Sequence, residues 1–546
     1  MSDTRSKMMG WGLWEVALIA VLALAFRLIH LEEVRHTDSY FHIMAAAAWL
    51  NDGTLYVGGD VPYTRAYLFT YLVAGFQSLF GGTTFVAGLP AILAGVAWVA
   101  TLFLWVRSVA GRAAAWVAGL LLCFDMGSLA LAHMVRFYTL HGLLFFLAAI
   151  GVYYLVTRRP PWGVATLIGG AALVSLSLAY HLQFTTVIGG IALVVWLLVE
   201  GAPYVVRSFQ DHRSRAIGVA IAVSILVLVA VMAVLQTDFV SKYWSLYRGA
   251  PPMWAESRAD AFHWYFVYME SNYTVLWALF PLVAMIAIAR YGRPAIFAVV
   301  LFMVPFILHS MASFKAERFL SYAMPFFFAT WGMAIAAVFP GLERIARDAV
   351  PRIIGIRPAE RLFAFATWGL SILLVIAIVV TNRPIWKGAY KFVVDGERPG
   401  YMSTARWDEA ASLLKPVLDS VEVVVVGAGE AYYYLDHVHV ITHSKSGLGD
   451  QEFVREPVLG VPMISTGTSL ETLFRCYNSG VVATDTRNWG KGWMFTEEII
   501  EVLQANTQPI FLPEEWGIRA YLWSHDEKVV EQGDCPVLES RRAPRL

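Results

Sequence analysis

Long apolar runs alternate with short polar connections over about the first 380 residues of the chain. Eleven of these runs approach the ~20 residues that a helix needs to cross a bilayer. Because the bilayer core offers no water to unpaired backbone groups, each run is expected to form a helix. The eleven predicted spans are Trp11–Ile29, Phe85–Val106, Ala113–Ala132, Tyr138–Val156, Trp162–Leu178, Thr185–Val199, Ile217–Leu235, Tyr273–Ile288, Ala295–Leu308, Leu320–Phe339 and Phe363–Val380.

One further apolar run, Tyr67–Phe80, has only fourteen residues, a length typical of an interfacial or re-entrant helix. Together with the amphipathic run Tyr40–Leu50 it predicts two helices that lie along the outer membrane face between the first and second spans. The alternative is that Tyr67–Phe80 crosses the membrane and that another span has been missed.

The composition agrees with a membrane protein. Hydrophobic residues make up 58% of the chain and charged residues 15%, with a formal net charge of zero, whereas soluble domains have about 45–50% apolar and about 25% charged residues. Balanced charge gives no basic surface for nucleic acid, which is excluded as a partner. The first apolar run lacks a small-residue cleavage site and is expected to be a retained anchor.

Lysine and arginine residues concentrate on alternate connections, and the positive-inside rule assigns those connections to the cytoplasm. They contain Arg107 and Arg112, Arg158 and Arg159, Arg207 to Arg215, Arg290 and Arg293, and the 343–361 stretch. This orientation predicts a multi-pass protein of the inner or plasma membrane with a cytoplasmic N-terminus. The Asp38 loop, the connections at Arg136, His181 and Lys315, and everything after Thr381 are then extracytoplasmic.

Apolar density falls from about Asn382, which predicts a domain boundary. Strand-like runs at Val421–Val426, Val438–Thr442, Gly480–Thr484 and Pro509–Leu512, with helical periodicity at Trp407–Leu418 and Thr496–Leu503, predict a small α/β domain. The predicted fold is thus an α-helical polytopic membrane protein with about eleven transmembrane helices, two outer-surface helices and a C-terminal α/β domain. The predicted division is a transmembrane domain, 1–381, whose first external loop is 32–84, and an extracytoplasmic domain, 382–546.

Two details of the C-terminal part bear on its chemistry. The turn Gly427-Ala428-Gly429 follows a strand, but no third glycine completes a dinucleotide-binding fingerprint. Cys476 and Cys535 share this domain and could form a disulfide in an oxidising compartment, which the sequence leaves open.

The acidic residue that follows the first span, Asp38, is the foremost candidate for catalysis. It lies in His36-Thr37-Asp38-Ser39-Tyr40-Phe41-His42. An alternative role is the N-cap of the Tyr40–Leu50 helix, for which aspartate is favoured. Arg136 is predicted on the same side of the membrane, where its planar guanidinium suits a phosphate or carboxylate. A snorkelling interface arginine is the alternative.

Lys315, Glu317 and Arg318 precede a later span on the same predicted side. Two cations on the non-cytoplasmic side oppose the usual charge bias, so an anionic ligand is expected there, either a lipid-linked phosphate or bilayer headgroups. The predicted 236–272 loop is rich in aromatic residues that suit a membrane belt or a sugar ligand. Further candidate substrate contacts are Tyr40, His42, Arg65, Tyr138, His181, Trp244, Arg248, Trp264 and Glu317.

A carboxylate facing cations predicts group transfer away from a phosphate. Asp38 would take the proton from an acceptor as the acceptor attacks the anomeric carbon, and Arg136, Lys315 and Arg318 would stabilise the departing phosphate. Lipid phosphate is a good leaving group, so a one-step inverting displacement needs a single carboxylate. No cofactor is required by this chemistry. The sequence has no clustered ligand motif that would indicate a dedicated metal site. Whether a divalent metal binds at Glu32, Glu33 or Asp38 stays open.

The order of these motifs resembles that of the C-type membrane glycosyltransferases. The resemblance is carried by Thr37-Asp38-Ser39-Tyr40, Val135-Arg136-Phe137-Tyr138-Thr139-Leu140 and Arg318-Phe319-Leu320-Ser321-Tyr322-Ala323-Met324-Pro325. Within these enzymes the chain is most similar to bacterial relatives of protein O-mannosyltransferases and of the aminoarabinose transferase that modifies lipid A. The resemblance covers roughly Gly10–Phe339.

The resemblance implies a polyprenyl-phosphate-linked sugar as donor, Asp38 as the base, and Arg136, Lys315 and Arg318 near the donor phosphate. Many relatives have Glu after the aspartate, whereas this chain has Ser39, so no second carboxylate is assigned. A glycolipid, a polysaccharide and a protein all fit as acceptor.

Three other functions remain open. An oligosaccharyltransferase has a similar first loop, but its Trp-Trp-Asp signature is absent, since Trp489 and Trp493 stand apart. A transporter or flippase for lipid-linked sugars would show charges distributed along the spans and repeated halves, whereas Arg27 and Asp125 are predicted to be isolated. The third is a non-catalytic assembly partner.

Overall fold

In the computed structural model, the regular elements of the described residues up to 395 are helices, and beyond residue 422 a seven-stranded sheet is accompanied by helices. The structure describes residues 2–30, 36–211, 261–338, 377, 380–395, 405–435, 437–443, 451–490, 495–525 and 535–546. The predicted span Ile217–Leu235 lies outside these residues, as does nearly all of Phe363–Val380.

The helices of the first part follow the predicted apolar runs closely. They are α1 (Ser2–Leu28), α2 (Thr37–Asp52), α3 (Tyr67–Phe80), α4 (Thr84–Ala110), α5 (Arg112–Phe124), α6 (Met126–His133), α7 (Tyr138–Arg158), α8 (Trp162–Leu182), α9 (Thr186–Asp211), α10 (Trp264–Ala278), α11 (Phe280–Tyr291), α12 (Arg293–Met311), α13 (Glu317–Val338) and α14 (Arg383–Asp395). A short 3-10 turn at Ser321–Ala323 interrupts α13 near its start.

Within the described residues, six helices are long and apolar enough to cross a membrane, and two bent helix pairs raise this number to eight if each pair is one span. The chain is therefore a multi-pass membrane protein. Two predicted single spans are wrong in one respect. Tyr273–Ile288 crosses the junction of α10 and α11, which meet at an angle of 48°, and Ala113–Ala132 crosses the junction of α5 and α6, which meet at 53°. The break between α5 and α6 lies at Asp125, whose carboxylate accepts a hydrogen bond from the Ser128 amide and caps α6.

The expectation that Arg27 and Asp125 are isolated is also wrong. Arg27 Nη2 donates to Ser128 Oγ at 2.8 Å, and the Ser128 amide donates to Asp125 Oδ2 at 2.7 Å. Tyr273 completes the network through its hydroxyl, which donates to Asp125 Oδ1. Buried polar groups retain their stability when hydrogen-bonded in this way, so the two charges form part of a network that joins α1, α6 and α10.

The predicted aromatic loop 236–272 ends earlier than expected. Helix α10 begins at Trp264, so that Trp264, Tyr265 and Tyr268 lie on a helix, and Trp264 stacks on Tyr268 with ring centroids 5.9 Å apart. The earlier part of this loop, with Trp244 and Arg248, lies outside the described residues.

The C-terminal sheet confirms the four predicted strands with shifted ends. Its strands are β1 (Val423–Val426), β2 (Val440–Thr442), β3 (Val454–Arg455), β4 (Pro462–Ile464), β5 (Ser479–Asp485), β6 (Gln508–Ile510) and β7 (Ile518–Ser524), in the order β3-β4-β2-β1-β5-β7-β6. Strands β4, β2, β1 and β5 are parallel. The accompanying helices are α15 (Trp407–Leu418), α16 (Gly429–Tyr434), α17 (Gly467–Cys476) and α18 (Glu497–Asn506). Cys476 and Cys535 form a disulfide.

The sheet part docks on one end of the helical part through the segment between α2 and α3. The Gly59 amide donates to Val458 O at 2.8 Å, and the Val61 amide donates to Pro457 O at 3.1 Å. Buried side chains of α2, α3 and α16 belong to one continuous hydrophobic cluster with β1 and β5. This docking brings the sheet next to the first turn of α2.

Candidate active site

Asp38 lies in the first turn of α2, at the helix end that faces the sheet. The alternative role of Asp38 as an N-cap is wrong, because helix α2 begins at Thr37 and its N-cap is His36, whose Nδ1 accepts a hydrogen bond from the Asp38 amide at 3.1 Å. The carboxylate of Asp38 is thereby free of the capping role. Its side chain is 31% exposed, so it opens towards the outside of the protein.

Arg136 forms an ion pair with this carboxylate. Its Nη1 lies 2.9 Å from Asp38 Oδ2, and only 1% of the arginine side chain is exposed. The ring of Tyr138 packs beneath the guanidinium at 5.6 Å. The same junction is fixed by Ser39, whose buried hydroxyl accepts a hydrogen bond from the Val135 amide at 3.1 Å. Ser39 thus joins α2 to the segment before α7.

Two opposing effects set the ionisation of Asp38. Burial disfavours the charged carboxylate, but the guanidinium of Arg136, helped by the charges of Arg318 and Arg65, holds the pKa of Asp38 well below its ordinary range. Burial also lowers the pKa of His36 to about 3. The site therefore contains an ionised carboxylate and a neutral imidazole at physiological pH.

Further cations surround this pair. Arg65, in the loop before α3, is exposed and acts electrostatically on Asp38 and on Tyr138. Arg318 stands at the start of α13, with its guanidinium 6.0 Å from the ring centroid of Tyr138. Lys315 is buried, and its ammonium donates to Ala312 O. The structure thus brings Arg65, Arg136 and Arg318, which come from three distant sequence segments, within electrostatic reach of Asp38.

A cavity of about 320 Å³ opens beside Arg65. Arg65, His181, Thr185, His309 and Phe319 belong to its lining. The Nε2 of His181 and the Oγ1 of Thr185 are buried, and neither atom has a hydrogen-bond partner among the described residues. Ligand pockets have volumes of about 300–1,000 Å³ and a few convergent polar groups, so this cavity has the size and chemistry to hold a small polar ligand.

The remaining predicted contacts are placed around the site in different ways. The Tyr40 hydroxyl lies 3.1 Å from that of Tyr434 on α16. His42 is buried under Asp38, and its Nδ1 lies 2.9 Å from Thr70 Oγ1. Glu317 lines a small separate cavity with Asp125 and Arg318. No contact described for Trp264 joins it to Asp38, and Trp244 and Arg248 lie outside the described residues.

The sequence analysis did not identify two groups near the site. His36 was visible as a polar neighbour of Asp38, but its position as the cap depends on where α2 begins. Arg487 follows β5 and acts electrostatically on His36. No local signal could reveal Arg487, since about 450 residues separate it from Asp38.

The sequence matches no protein-family model and no curated protein. It does resemble solved structures of membrane enzymes. ArnT from Cupriavidus metallidurans, bound to undecaprenyl phosphate, is 15% identical, with a TM-score of 0.57 over 94% of this chain and 98% of ArnT. The archaeal oligosaccharyltransferase AglB from Archaeoglobus fulgidus, in complex with an inhibitory peptide and a dolichol-phosphate, is 13% identical, with a TM-score of 0.57 over 97% of this chain and 75% of AglB.

At such low identity the likeness concerns the arrangement of the chain and leaves its chemistry to be argued from its own residues. It agrees with the resemblance found in the sequence motifs. This chain therefore has the GT-C fold, the fold of these membrane glycosyltransferases.

Proposed function

We propose that this protein is an integral-membrane glycosyltransferase that moves a sugar from a polyprenyl-phosphate donor to an acceptor on the extracytoplasmic side. The observation that carries the proposal is the partly exposed Asp38 carboxylate at one end of the helical part. It forms an ion pair with Arg136, and the charges of Arg65 and Arg318 also act on it. This is the arrangement that displacement of a phosphate by a deprotonated nucleophile requires.

The reaction takes place in one step. Asp38 accepts the proton of an acceptor hydroxyl or amine while that atom forms a bond to the anomeric carbon and the bond from this carbon to the phosphate oxygen breaks. The lipid phosphate leaves with the electron pair, and the configuration of the sugar is inverted. Because its pKa is low, Asp38 is a weak but permanently ionised base, which suits a displacement whose leaving group needs no proton.

The cations divide their tasks by position. Arg318 and Lys315, on the segment that begins α13, are the proposed ligands of the donor phosphate. Arg136 was predicted to share that task, and its nearly complete burial against Asp38 supports a first role in holding the base ionised. Contact of Arg136 with the phosphate remains a prediction. The cavity lined by Arg65 and His181 is proposed for the sugar of the donor.

The structures of similar fold support the class of donor. ArnT was solved with undecaprenyl phosphate and AglB with a dolichol-phosphate, so both of them bind a polyprenyl phosphate. For this chain we propose the same class of lipid, with a glycolipid, a polysaccharide or a protein as acceptor. Among the described residues, no group of three or more His, Cys, Asp or Glu side chains is placed to hold a metal ion.

The proposed orientation has a cytoplasmic N-terminus and an extracytoplasmic sheet domain, with residues 1–381 and 382–546 as the two domains. The positions of the charges support it. Glu15 on α1 forms ion pairs with Arg107 and Arg112, in the connection predicted to be cytoplasmic. Asp38, Arg136 and Arg318 gather beyond the opposite end of α1.

The test is release of free polyprenyl phosphate from a panel of polyprenyl-phosphate sugars by the purified protein in lipid. Asp38→Asn is expected to reduce kcat by about 10²- to 10⁴-fold, the usual contribution of a general base, while the variant still binds donor. Asp52→Asn, at the exposed far end of the same helix, is the matched control and is expected to keep native activity.

Release that is lost in Asp38→Asn and kept in Asp52→Asn supports the transferase. Binding of donors without release from any of them, in the folded native protein, would contradict the proposal and favour a transporter or an assembly partner for lipid-linked sugars.

A further inference from the structure

The cavity of about 320 Å³ is lined in part by residues 183–185, which connect α8 to α9. Gln183 has an extended backbone and ends α8, and the Thr186 amide donates to its carbonyl oxygen at 3.0 Å. The Ile188 amide donates to Thr185 O at the same distance. These backbone hydrogen bonds fix the connection, so the side chains that it presents to the cavity have defined positions.

Two neighbouring threonines of this connection differ in how their hydroxyls are used. Thr186 Oγ1 donates to Gln183 O at 2.7 Å and lies 2.8 Å from His141 Nε2, so this hydroxyl has two partners. Thr185 is 5% exposed and lines the cavity, and its Oγ1 has no hydrogen-bond partner among the described residues. Because buried hydroxyls are nearly always hydrogen-bonded, the Thr185 hydroxyl indicates a partner that enters the cavity.

His181, in the last turn of α8, repeats this pattern. Its Nε2 is buried and has no hydrogen-bond partner in the described part of the chain. The ring lines the same cavity, and the ring of Tyr67 packs edge-on against it with the centroids 4.4 Å apart. His309 lines the cavity as well, but its Nε2 already lies 3.2 Å from the Tyr322 hydroxyl. The end of α8 and the connection to α9 therefore supply two polar atoms for a ligand.

The chemistry of these two atoms selects the class of ligand. A threonine hydroxyl both donates and accepts, and an imidazole nitrogen does either according to its protonation. The hydroxyls of a sugar can complement both atoms, whereas a polyprenyl chain would leave them buried and unpaired, which weakens binding by about 5- to 100-fold per atom. The rings of Phe314 and Phe319, with centroids 5.1 Å apart, add apolar lining. Few polar atoms in an apolar lining are typical of pockets that orient a small ligand.

The cavity adjoins the Asp38 site through the ring of Tyr138. Arg318 precedes the lining residue Phe319, and its guanidinium lies 6.0 Å from the centroid of the Tyr138 ring. The guanidinium of Arg136 lies 5.6 Å from the same centroid and 2.9 Å from the Asp38 carboxylate. This arrangement allows one donor molecule to place its phosphate at Arg318 and its sugar in the cavity.

We propose that Thr185 and His181 select the donor by hydrogen bonds to hydroxyl groups of its sugar. The substrate is then a hydroxylated sugar, and an analogue that lacks a contacted hydroxyl is rejected because it leaves a buried protein atom unpaired. This inference rests on the proposed function, which assigns the cavity to the sugar of the donor, and it adds the residues that recognise that sugar.

The experiment measures binding to the full-length protein in lipid nanodiscs, without an acceptor. The probes are polyprenyl phosphate linked to glucose, mannose, galactose or arabinose, and sugar-free polyprenyl phosphate is the reference. The Kd of the reference divided by the Kd of a sugar-linked probe gives the contribution of the sugar. Thr185→Val is expected to lower this ratio about 5- to 100-fold for the sugar that binds best and to keep the Kd of the reference within twofold. Thr185→Ser keeps the hydroxyl and is expected to retain the ratio.

Deoxy analogues of the sugar that binds best identify the contacted hydroxyls. The native protein is expected to bind one analogue about 5- to 100-fold more weakly than the parent sugar. Thr185→Val is expected to bind that analogue and the parent equally, because the interaction is already lost. His181→Phe is expected to behave in the same way towards a second analogue, and His181→Gln is expected to recover part of the affinity because its amide keeps a polar group.

Thr330→Val is the matched control. Thr330 is a buried threonine of α13 whose hydroxyl donates to Phe326 O at 2.8 Å, so its substitution is expected to keep the native ratio. A ratio for Thr185→Val within twofold of that for Thr330→Val, with equal unfolding midpoints, would overturn the proposal and leave a cavity that holds only water. Tighter binding of sugar-free polyprenyl phosphate by Thr185→Val would also overturn it, because the lipid chain would then occupy the cavity.

Failure of the proposed function gives a different pattern. A protein that binds a sugar-linked lipid through Thr185 but releases no polyprenyl phosphate from it is no transferase, and the sugar site stands. A protein with Asp38-dependent release, whose ratios for all sugars are the same in Thr185→Val as in the native chain, is a transferase that recognises the sugar elsewhere.

Discussion

Replacing Arg136 by methionine tests whether this arginine keeps Asp38 ionised. The substitution removes the guanidinium that pairs with the carboxylate and leaves an apolar side chain among Phe137 and Tyr138. Burial of Asp38 then acts against ionisation with less opposition, so the pKa of Asp38 rises. Since only the ionised carboxylate accepts a proton, activity falls as the pH drops through this pKa. A higher pKa moves the acid limb of the pH profile to higher pH.

The size of this shift follows from the geometry of the pair. The 2.9 Å contact joins an arginine that is 1% exposed to a carboxylate that is 31% exposed. The effective dielectric constant between them is therefore taken to lie between that of bulk water and that of a pair near the protein surface. For charges about 4 Å apart, these two limits correspond to about 1 and about 4 kcal/mol. One pKa unit corresponds to about 1.4 kcal/mol, and the acid limb is therefore expected to move by about one to three pH units.

The assay is kcat/KM for release of polyprenyl phosphate between about pH 4 and pH 8, because this parameter reports the pKa of the free enzyme. The native profile is expected to stay flat down to the ordinary aspartate pKa of about 3.9 or below. Arg136→Met is expected to lose activity at a pH one to three units higher. Arg136→Lys, which keeps a charge, is expected to shift less.

A folded and active Arg136→Met protein whose acid limb coincides with the native one would refute this reasoning. It would mean either that Asp38 is not the titrating base or that Arg318 and Arg65 suffice to keep it ionised. An unfolding midpoint of each variant equal to the native one would show that the measured pH effect comes from the site and not from a loss of fold.

Two further predictions concern stability. Gly142→Ala in α7 would press a methyl group into the ring of Trp98 and is expected to lower the free energy of unfolding by about 1–3 kcal/mol. Gly170→Ala on α8, where a methyl group would meet nothing within 4 Å, is expected to leave the free energy of unfolding unchanged or raise it by up to about 1 kcal/mol. Equal unfolding midpoints for the two variants would contradict this prediction. Cys535→Ser opens the disulfide with Cys476, which spans 59 residues of sequence, and is expected to cost up to about 4 kcal/mol. Its unfolding midpoint should match that of the reduced native protein, and a native midpoint insensitive to reductant would argue against the disulfide.

Hydropathy predicted most of the fold because membrane helices satisfy their backbone groups within one segment. Tyr67–Phe80 and Trp407–Leu418 were predicted with the bounds that the structure gives them. The bend at Asp125 was missed, since the runs on both sides of it are equally apolar. A single polar residue within such a run changes the backbone only where its side chain caps a new helix, as Asp125 does here.

The site was predicted in part for a related reason. Sidedness of the spans placed Asp38, Arg136 and Arg318 at one end of the bundle, and that was sufficient to name them together. Which cation contacts the carboxylate depends on side-chain packing, and Arg136 was expected first at the phosphate. The contribution of the sheet was out of reach, because the pairing of α16 with α2 joins residues almost 400 positions apart.

The first turn of α2 is held from three directions by contacts that involve no substrate. His36 caps the helix, Ser39 fixes it to the segment before α7, and Tyr40 binds it to α16 of the sheet domain. A base acts efficiently when its position is set before the substrate arrives, because no reorganisation is then needed during the reaction. The sheet domain is thus part of the support that positions Asp38. A change at the Tyr40 contact is therefore expected to alter catalysis even though no atom of that contact takes part in it.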